Sequence, residues 1–209
     1  MVARTKLIAD GDRQGVEAAI RAAEQGTSAE FVAAIARRVE RYHGVSLTAG
    51  LIAALATSLA LVYWDPWLSL LYATGLQCMA FALVYALFEL TPLAVWLAPR
   101  KAKAAKVRRF AHLLCFDAGL TATPNRNGIL LFIALAERQV EIVTDRGIDE
   151  LVDTAEWQRI VNAFSAAARS GKIAAALQTA IRDLGTVLAK HFPAQAGQVN
   201  RIPDRLIEL

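Results

Sequence analysis

From Val45 to Leu97 the chain is apolar at nearly every position, with Asp65 and Glu89 as the only charges. The stretch divides at Trp64-Asp65-Pro66-Trp67 into two charge-free runs, Val45 to Trp64 and Trp67 to Phe88. Each run is about 20 residues long, the length that crosses ~30 Å of hydrocarbon as a helix. The pattern predicts a transmembrane helical hairpin. A buried pair of core helices would instead need covering elements on every side, and the flanking segments need their own apolar faces to pack on each other. Ala49, Ala53, Ala56 and Ala60 in the first run, with Gly75, Ala82 and Ala86 in the second, are spaced to form a close helix–helix seam. Tyr63, Trp64 and Trp67 predict an aromatic belt around an external turn, and Trp96 marks the opposite interface.

The periodicity on either side of the hairpin is that of a small soluble domain. Before it, Val16, Ala19, Ile20 and Ala23 form a helical stripe that Asp10 or Asp12 can cap and Gly26 can stop. Glu30 to Ala36 is a short apolar run that reads as a strand covered on both faces. After the hairpin, Thr91-Pro92 bends or ends the second span, and Lys103 to Asp117 predicts an amphipathic helix with Val107, Phe110, Leu113 and Leu114 inward. A turn cluster, Thr123 to Gly128, precedes two strands, Ile129 to Ala136 and Gln139 to Thr144, joined as an antiparallel hairpin through Glu137-Arg138. Two helices follow, one carrying Trp157, Ile160, Val161, Phe164 and Ala168, the other Ile173, Leu177, Ile181, Leu184 and Leu188. The end, with Leu206, Ile207 and Leu209, is expected to dock loosely.

Three strands need one another to make a stable sheet, so the segments are joined across the hairpin. The expected fold is a small α/β (α+β) domain with a central sheet flanked by helices, interrupted by a two-helix transmembrane hairpin. Its parts are residues 1–43 with 100–192 as the discontinuous domain, 45–97 as the hairpin with spans at about 45–64 and 67–88, and 193–209 as a C-terminal tail.

Composition adds a location. Among 209 residues, 56% are hydrophobic and the net charge is +4, but Arg100, Lys101, Lys103, Lys106, Arg108 and Arg109 crowd the start of the post-hairpin helix. Cations just past a span mark its cytoplasmic end and attract anionic lipid headgroups, so lipid rather than nucleic acid is the expected partner. Arg37, Arg38 and Arg41 repeat the signal before the first span, and the external turn has no Lys or Arg. Both termini are therefore expected in the cytoplasm, with Glu89 near the cytoplasmic boundary and neutralised by the basic cluster. Met1 to Arg41 lacks the apolar run of a secretory signal, which leaves the hairpin to direct insertion. Cys78 and Cys115 make no disulfide framework or metal spacing and are expected to be inert packing residues.

Several of these segments resemble the TPM domain family, known in thylakoid-lumen proteins of photosystem repair, in bacterial membrane-anchored proteins and in an animal receptor auxiliary subunit. The residues that carry the resemblance are Ala22-Ala23-Glu24-Gln25-Gly26-Thr27-Ser28-Ala29-Glu30-Phe31-Val32, then Gly128 to Ile133, Glu137-Arg138-Gln139-Val140-Glu141-Ile142-Val143, and Gly147-Ile148-Asp149. The chain is similar to the short bacterial membrane-protein branch, which implies a bacterial cytoplasmic-membrane protein with a central sheet between helices. For some members weak acid phosphatase activity or calcium binding has been proposed. Many members carry the domain outside the cytoplasm, whereas the basic flanks here argue for the inside, and Asp145-Arg146-Gly147 stands where a Gly-aromatic-Gly turn is common.

Candidate chemistry is sparse. Asp145, Asp149, Glu150 and Asp153 form the one dense carboxylate group, oxygen ligands of the kind Ca2+ or Mg2+ takes, although the spacing fits no twelve-residue calcium loop. Asp153 can equally cap a helix starting near Thr154, and Asp149 and Glu150 can be solvated charges. His43, His112 and His191 are isolated, and no phosphate loop, nucleophile elbow or zinc-protease helix occurs. With no catalytic residue to name, the expected role is a membrane-anchored protein-binding, assembly or quality-control module with an unidentified membrane-protein partner. The alternative is a metal-dependent phosphatase-like hydrolase using Asp145, Asp149 and Asp153. A channel using Glu89, Thr74 and Gln77 has too little intramembrane polarity to line a pore.

Overall fold

A strand can be apolar at every position only if both its faces are covered, and Glu30–Ala36 (β1) is buried at all seven residues. In the computed structural model, which describes residues 7–65, 67–122, 126–194 and 206–209, β1 lies inside a four-stranded sheet of order β3-β2-β1-β4. Gly128–Ala134 (β2) runs parallel to it with Phe31 opposite Ile129 and Ile35 opposite Ile133. Gln139–Thr144 (β3) returns antiparallel to β2 as a hairpin, Ile133 facing Val140. The other edge of β1 is taken by Leu206–Glu208 (β4), in parallel.

β4 corrects the expectation of a loosely docked end. Leu209 N–H donates to Ile35 O at 2.9 Å and Arg37 N–H to Leu209 O at 3.1 Å, while Leu206 is buried in the core. The apolar cluster there is too short to signal a strand alone; it pairs because β1 offers an open edge.

Side chains alternate across the sheet and build two cores. On one face Phe31, Ala33, Ile35, Ile129 and Leu131 meet the helices Asp10–Gln25 (α1), Thr154–Ala168 (α7) and Ile173–His191 (α8) through Ile20, Ile160, Phe164, Leu177, Ile181 and Leu184. On the other, Val32, Ala34, Leu130 and Phe132 meet Arg100–Asp117 (α5) through Val107, Ala111 and Cys115. The domain is thus α+β, a mixed sheet between helices. Two local expectations fail. Asp10 and Asp12 lie in the first turn of α1, where negative charge favours the positive helix end, while Ala9 is the N-cap residue with no side-chain cap. Leu113 is 57% exposed, because Val107, Ala111 and Cys115 form the inward seam.

Contacts divide the chain into Met1–Val39 with Ala105–Leu209, and Glu40–Ala104. In the second unit His43–Trp64 (α2) and Leu70–Leu90 (α3) are both long and apolar enough to cross a membrane, with 11% and 0% of their apolar windows buried. A pair of core helices would be covered, and these are not. The second helix begins at Leu70 rather than Trp67; Pro66 lies outside the described residues. Thr91 caps α3, and Leu93–Leu97 (α4) follows.

The helices pair antiparallel, and the predicted seam holds only on α2: Ala49, Ala53 and Ala60 are half-buried, while Ala56 and, on α3, Gly75, Ala82 and Ala86 are exposed. Contact runs instead through Gly50 against the Phe81 ring, so close that a Cβ on residue 50 would come within 2.8 Å of it, and through Gln77 Nε2, which donates to Ser58 Oγ at 2.6 Å. Two polar groups that must satisfy each other in an apolar setting turn the Gln77 side of α3, rather than its small residues, toward α2.

Replacing Leu206 by Ala tests whether β4 is structural. The expected loss is about 2 to 5 kcal/mol, as for a buried Leu, read as a lowered unfolding midpoint; an unchanged midpoint would mean that the terminal strand adds nothing.

Candidate functional site

The acidic stretch folds into helix caps and a loop. Asp145, buried at the end of β3, is the N-cap of the short helix Arg146–Asp149 (α6), its Oδ1 accepting from Arg146 N at 2.8 Å. Asp153 caps α7 through Ala155 N at 3.0 Å, the alternative raised from the sequence. Asp149 accepts from the Thr144 hydroxyl, and it and Glu150 are exposed. Among the described residues no three His, Cys, Asp or Glu side chains stand together as a metal-ion set. Buried in this stretch, Asp145 Oδ2 has no hydrogen-bond partner among the described residues.

Asp145 belongs to a buried polar layer at one end of the sheet that sequence reasoning missed. Thr27, Ser28, Glu30 and Asn127 are buried there with it. Asn127 Nδ2 donates to Ser28 O, Glu30 N–H donates to Asn127 O at 3.2 Å, and Asp145 N–H donates to Gly128 O at 3.0 Å. Thr27 Oγ1 donates to Phe192 O at 2.6 Å, which ties the layer to the end of α8. Gly128 is required: a Cβ would stand 2.4 Å from Leu120 O. Asn127-Gly128 in sequence signals only a turn, yet here the Asn side chain joins the entries of β1 and β2; Thr123 to Asn125 of the same cluster lie outside the described residues. Burial, helped by the charge of Asp145, pushes the Cys115 thiol up to about 11. Cys115 therefore stays a neutral packing thiol and makes a poor nucleophile.

At the opposite end of β2 the buried Glu137 accepts from Val39 N at 3.2 Å, and Arg138 takes a positive φ of 53°. The Glu-Arg pair is thus a lock between the β2–β3 turn and the chain leaving β1.

The six cations of α5 have separate fates. Arg100, Lys101, Arg108 and Arg109 are exposed, and Lys103 and Lys106 half-buried. Lys103 Nζ donates to Val95 O at 3.0 Å in α4, and Arg108 Nε lies 3.5 Å from Glu141 Oε1 on β3. Burial raises the Glu141 carboxyl above its ordinary range, and Arg108 and His112 pull it partly back. Glu89 is held not by the basic cluster but by His43, Nδ1 to Oε1 at 3.0 Å, because the antiparallel pairing brings the start of α2 beside the end of α3. The interfacial aromatics are open: Tyr63 and Trp64 meet edge to face, and with Trp67 and Trp96 they are at least 70% exposed. Thr74 bonds back to Leu70 O within its own helix.

Comparison with known proteins places this geometry. The TPM domain model matches residues 92–187. The fold resembles the NMR structure of BA42 protein from the psychrophilic bacterium Bizionia argentinensis sp. nov., with a TM-score of 0.63, 17% identity and 100% of each chain covered. Curated proteins give no match.

Glu141 makes a pH prediction. Its folded carboxyl holds a proton more tightly than in the unfolded chain, so stability falls as pH rises through the carboxylate range. Glu141→Gln should melt at the same temperature as the parent or higher near neutrality, and the difference should shrink at acid pH. Thermal melts across pH check this; a variant that loses more at neutral pH would show that the Arg108 pair outweighs the burial.

Proposed function

We propose that the TPM domain this chain carries works as a binding or assembly module tethered to a membrane by the hairpin that interrupts it. One observation carries this reading: α2 and α3, long and apolar enough to span, are inserted between two strands that pair in one sheet, β1 and β2. The chain therefore leaves the sheet for the hairpin after β1 and returns to it at β2. Ser58 with Gln77 and His43 with Glu89 pair between α2 and α3, and Thr48, Thr57 and Thr74 bond back within their own helices, which suits an anchor more than a pore. The cationic start of α5 supports a bacterial cytoplasmic-membrane location with both termini inside, next to anionic lipid. The partner is expected to be a membrane protein that meets the domain in assembly or quality control.

Three measurements check the reading. The chain should stay with membranes through alkaline washing, reporters at Asp65 and at the C-terminus should report opposite sides, and crosslinking in native membranes should recover a reproducible partner. Release by alkaline washing, or both reporters on one side, would end the hairpin model.

The unpartnered Asp145 Oδ2 favours a second reading, a divalent-cation-dependent phosphate-ester hydrolase. Against it, Asp149 and Asp153 are engaged elsewhere and do not converge with Asp145. On this reading Mg2+ or Ca2+ should raise the melting temperature and Asp145→Asn should abolish the shift; no shift in the parent would remove it.

A further inference from the structure

We infer that the outward face of α5 is an interfacial docking surface for an anionic bilayer, with Leu113 and Phe116 seated at the boundary of headgroups and acyl chains. The inference deepens the membrane-tethered reading and rests on it.

α5 packs on the sheet through Val107, Ala111 and Cys115. At about 3.6 residues per turn, the opposite side is a strip of Ala105, Arg109, Leu113 and Phe116, and all four are exposed. Leu113 is 57% and Phe116 71% exposed. They stand three apart, so their side chains are neighbours and form one apolar patch rather than two scattered residues. Arg109 lies in the strip one turn before Leu113, exposed Arg100, Lys101 and Arg108 stand further toward the start of the helix, and exposed Asp117 lies one turn after Leu113.

An exposed apolar pair on a helix of low overall hydrophobicity, following a cationic first half, suits the boundary of a membrane interface. The apolar side chains reach into the acyl boundary while the cations hold phosphate oxygens. Two observations name lipid as the occupant. The exposed charge along α5 is predominantly positive, Arg100, Lys101, Arg108 and Arg109 against Asp117, and complementary to anionic headgroups. The helix also follows the second apolar span closely, with only Thr91, Pro92, α4, Ala98 and Pro99 between Leu90 and Arg100, so the same chain holds it near a bilayer. Trp96 and Leu97, just before it, are exposed as well.

The test uses the full chain in vesicles of phosphatidylcholine with or without phosphatidylglycerol. Leu113→Cys or Phe116→Cys is introduced with Cys78→Ala and labelled with an environment-sensitive fluorophore. Cys115 is buried and its thiol raised, so the Cys78→Ala parent should stay unlabelled. Ser170→Cys, on the exposed turn between α7 and α8, reports an aqueous site. The expected result is a blue-shifted emission and loss of quenching by aqueous iodide at 113 and 116 in the anionic vesicles. Both effects should weaken in phosphatidylcholine alone and in Lys101→Gln, Arg109→Gln, while position 170 stays quenched throughout.

Equal quenching at 113, 116 and 170, on a chain that still floats with the vesicles, overturns the docking surface and leaves the tethered reading standing. A chain that does not float overturns both. Shielding that ignores lipid charge and grows with the protein-to-lipid ratio assigns the face to a second copy of the chain and overturns the lipid proposal.

Discussion

The parallel pairing of β1 with β2 is the constraint on which the rest of the molecule depends. Parallel neighbours cannot be joined by a tight turn; the chain must leave one end of the sheet and return to the other. Between Ala36 and Gly128 it does so through α2, α3, α4 and α5, and α5 covers one face of the sheet on the way. A long crossover is needed there in any case, so two membrane-length helices can be accommodated in it without breaking a strand pair. The same insertion in the β2–β3 turn would replace a tight antiparallel hairpin and its Glu137 lock.

A central strand separated in sequence from its neighbours must also be fixed at both ends, and polar side chains do this. Asn127 joins the entry of β2 to that of β1, and Glu137 joins the β2–β3 turn to Val39 past the exit of β1. Between these ends β1 carries Ala33, Ala34 and Ala36 where β2 carries Leu131, Phe132 and Ala134. The small residues on β1 leave room for large ones on β2 and on the helices above and below. On its free edge β1 receives β4, and Arg13 Nη1 reaches Glu208 Oε1 at 3.5 Å across from α1, so the last strand is held by a helix as well as by the sheet.

The legible features in the sequence were those with a strong single period. Uncharged runs near Val45 and Trp67, the stripe of Leu177, Ile181, Leu184 and Leu188, and the apolar run of β1 after Glu30 each have one physical cause, and these helices and strands fall within a few residues of the expected places. What could not be read depends on partners distant in sequence. Leu206 to Glu208 is strand only because β1 offers an edge, Gly50 is at the helix contact only because Phe81 fills it, and Glu89 takes His43, 46 residues away. The acidic stretch was ambiguous for another reason: the residue types that bind cations also cap helices, and geometry alone shows Asp145 and Asp153 as caps.

α5 shows why one helix misled a periodicity argument. A helix with water on one side puts its large apolar residues inward, and by that rule Leu113 belongs with Val107 and Phe110. It falls on the other side of the turn: Val107, Ala111 and Cys115 lie on the sheet, with the Phe110 ring tilted against Phe132 at a centroid separation of 5.4 Å. Ala111 and Cys115 line the rest of that seam with Phe110 and Leu114 beside them, and Leu113 and Phe116 stand on the outer side. In water that arrangement exposes a patch with no folding benefit. Against a bilayer the same patch gains what the core gains from Phe132, removal of apolar surface from water. A helix with apolar residues both toward the sheet and outward has a single hydrophobic logic once both of its surroundings are counted.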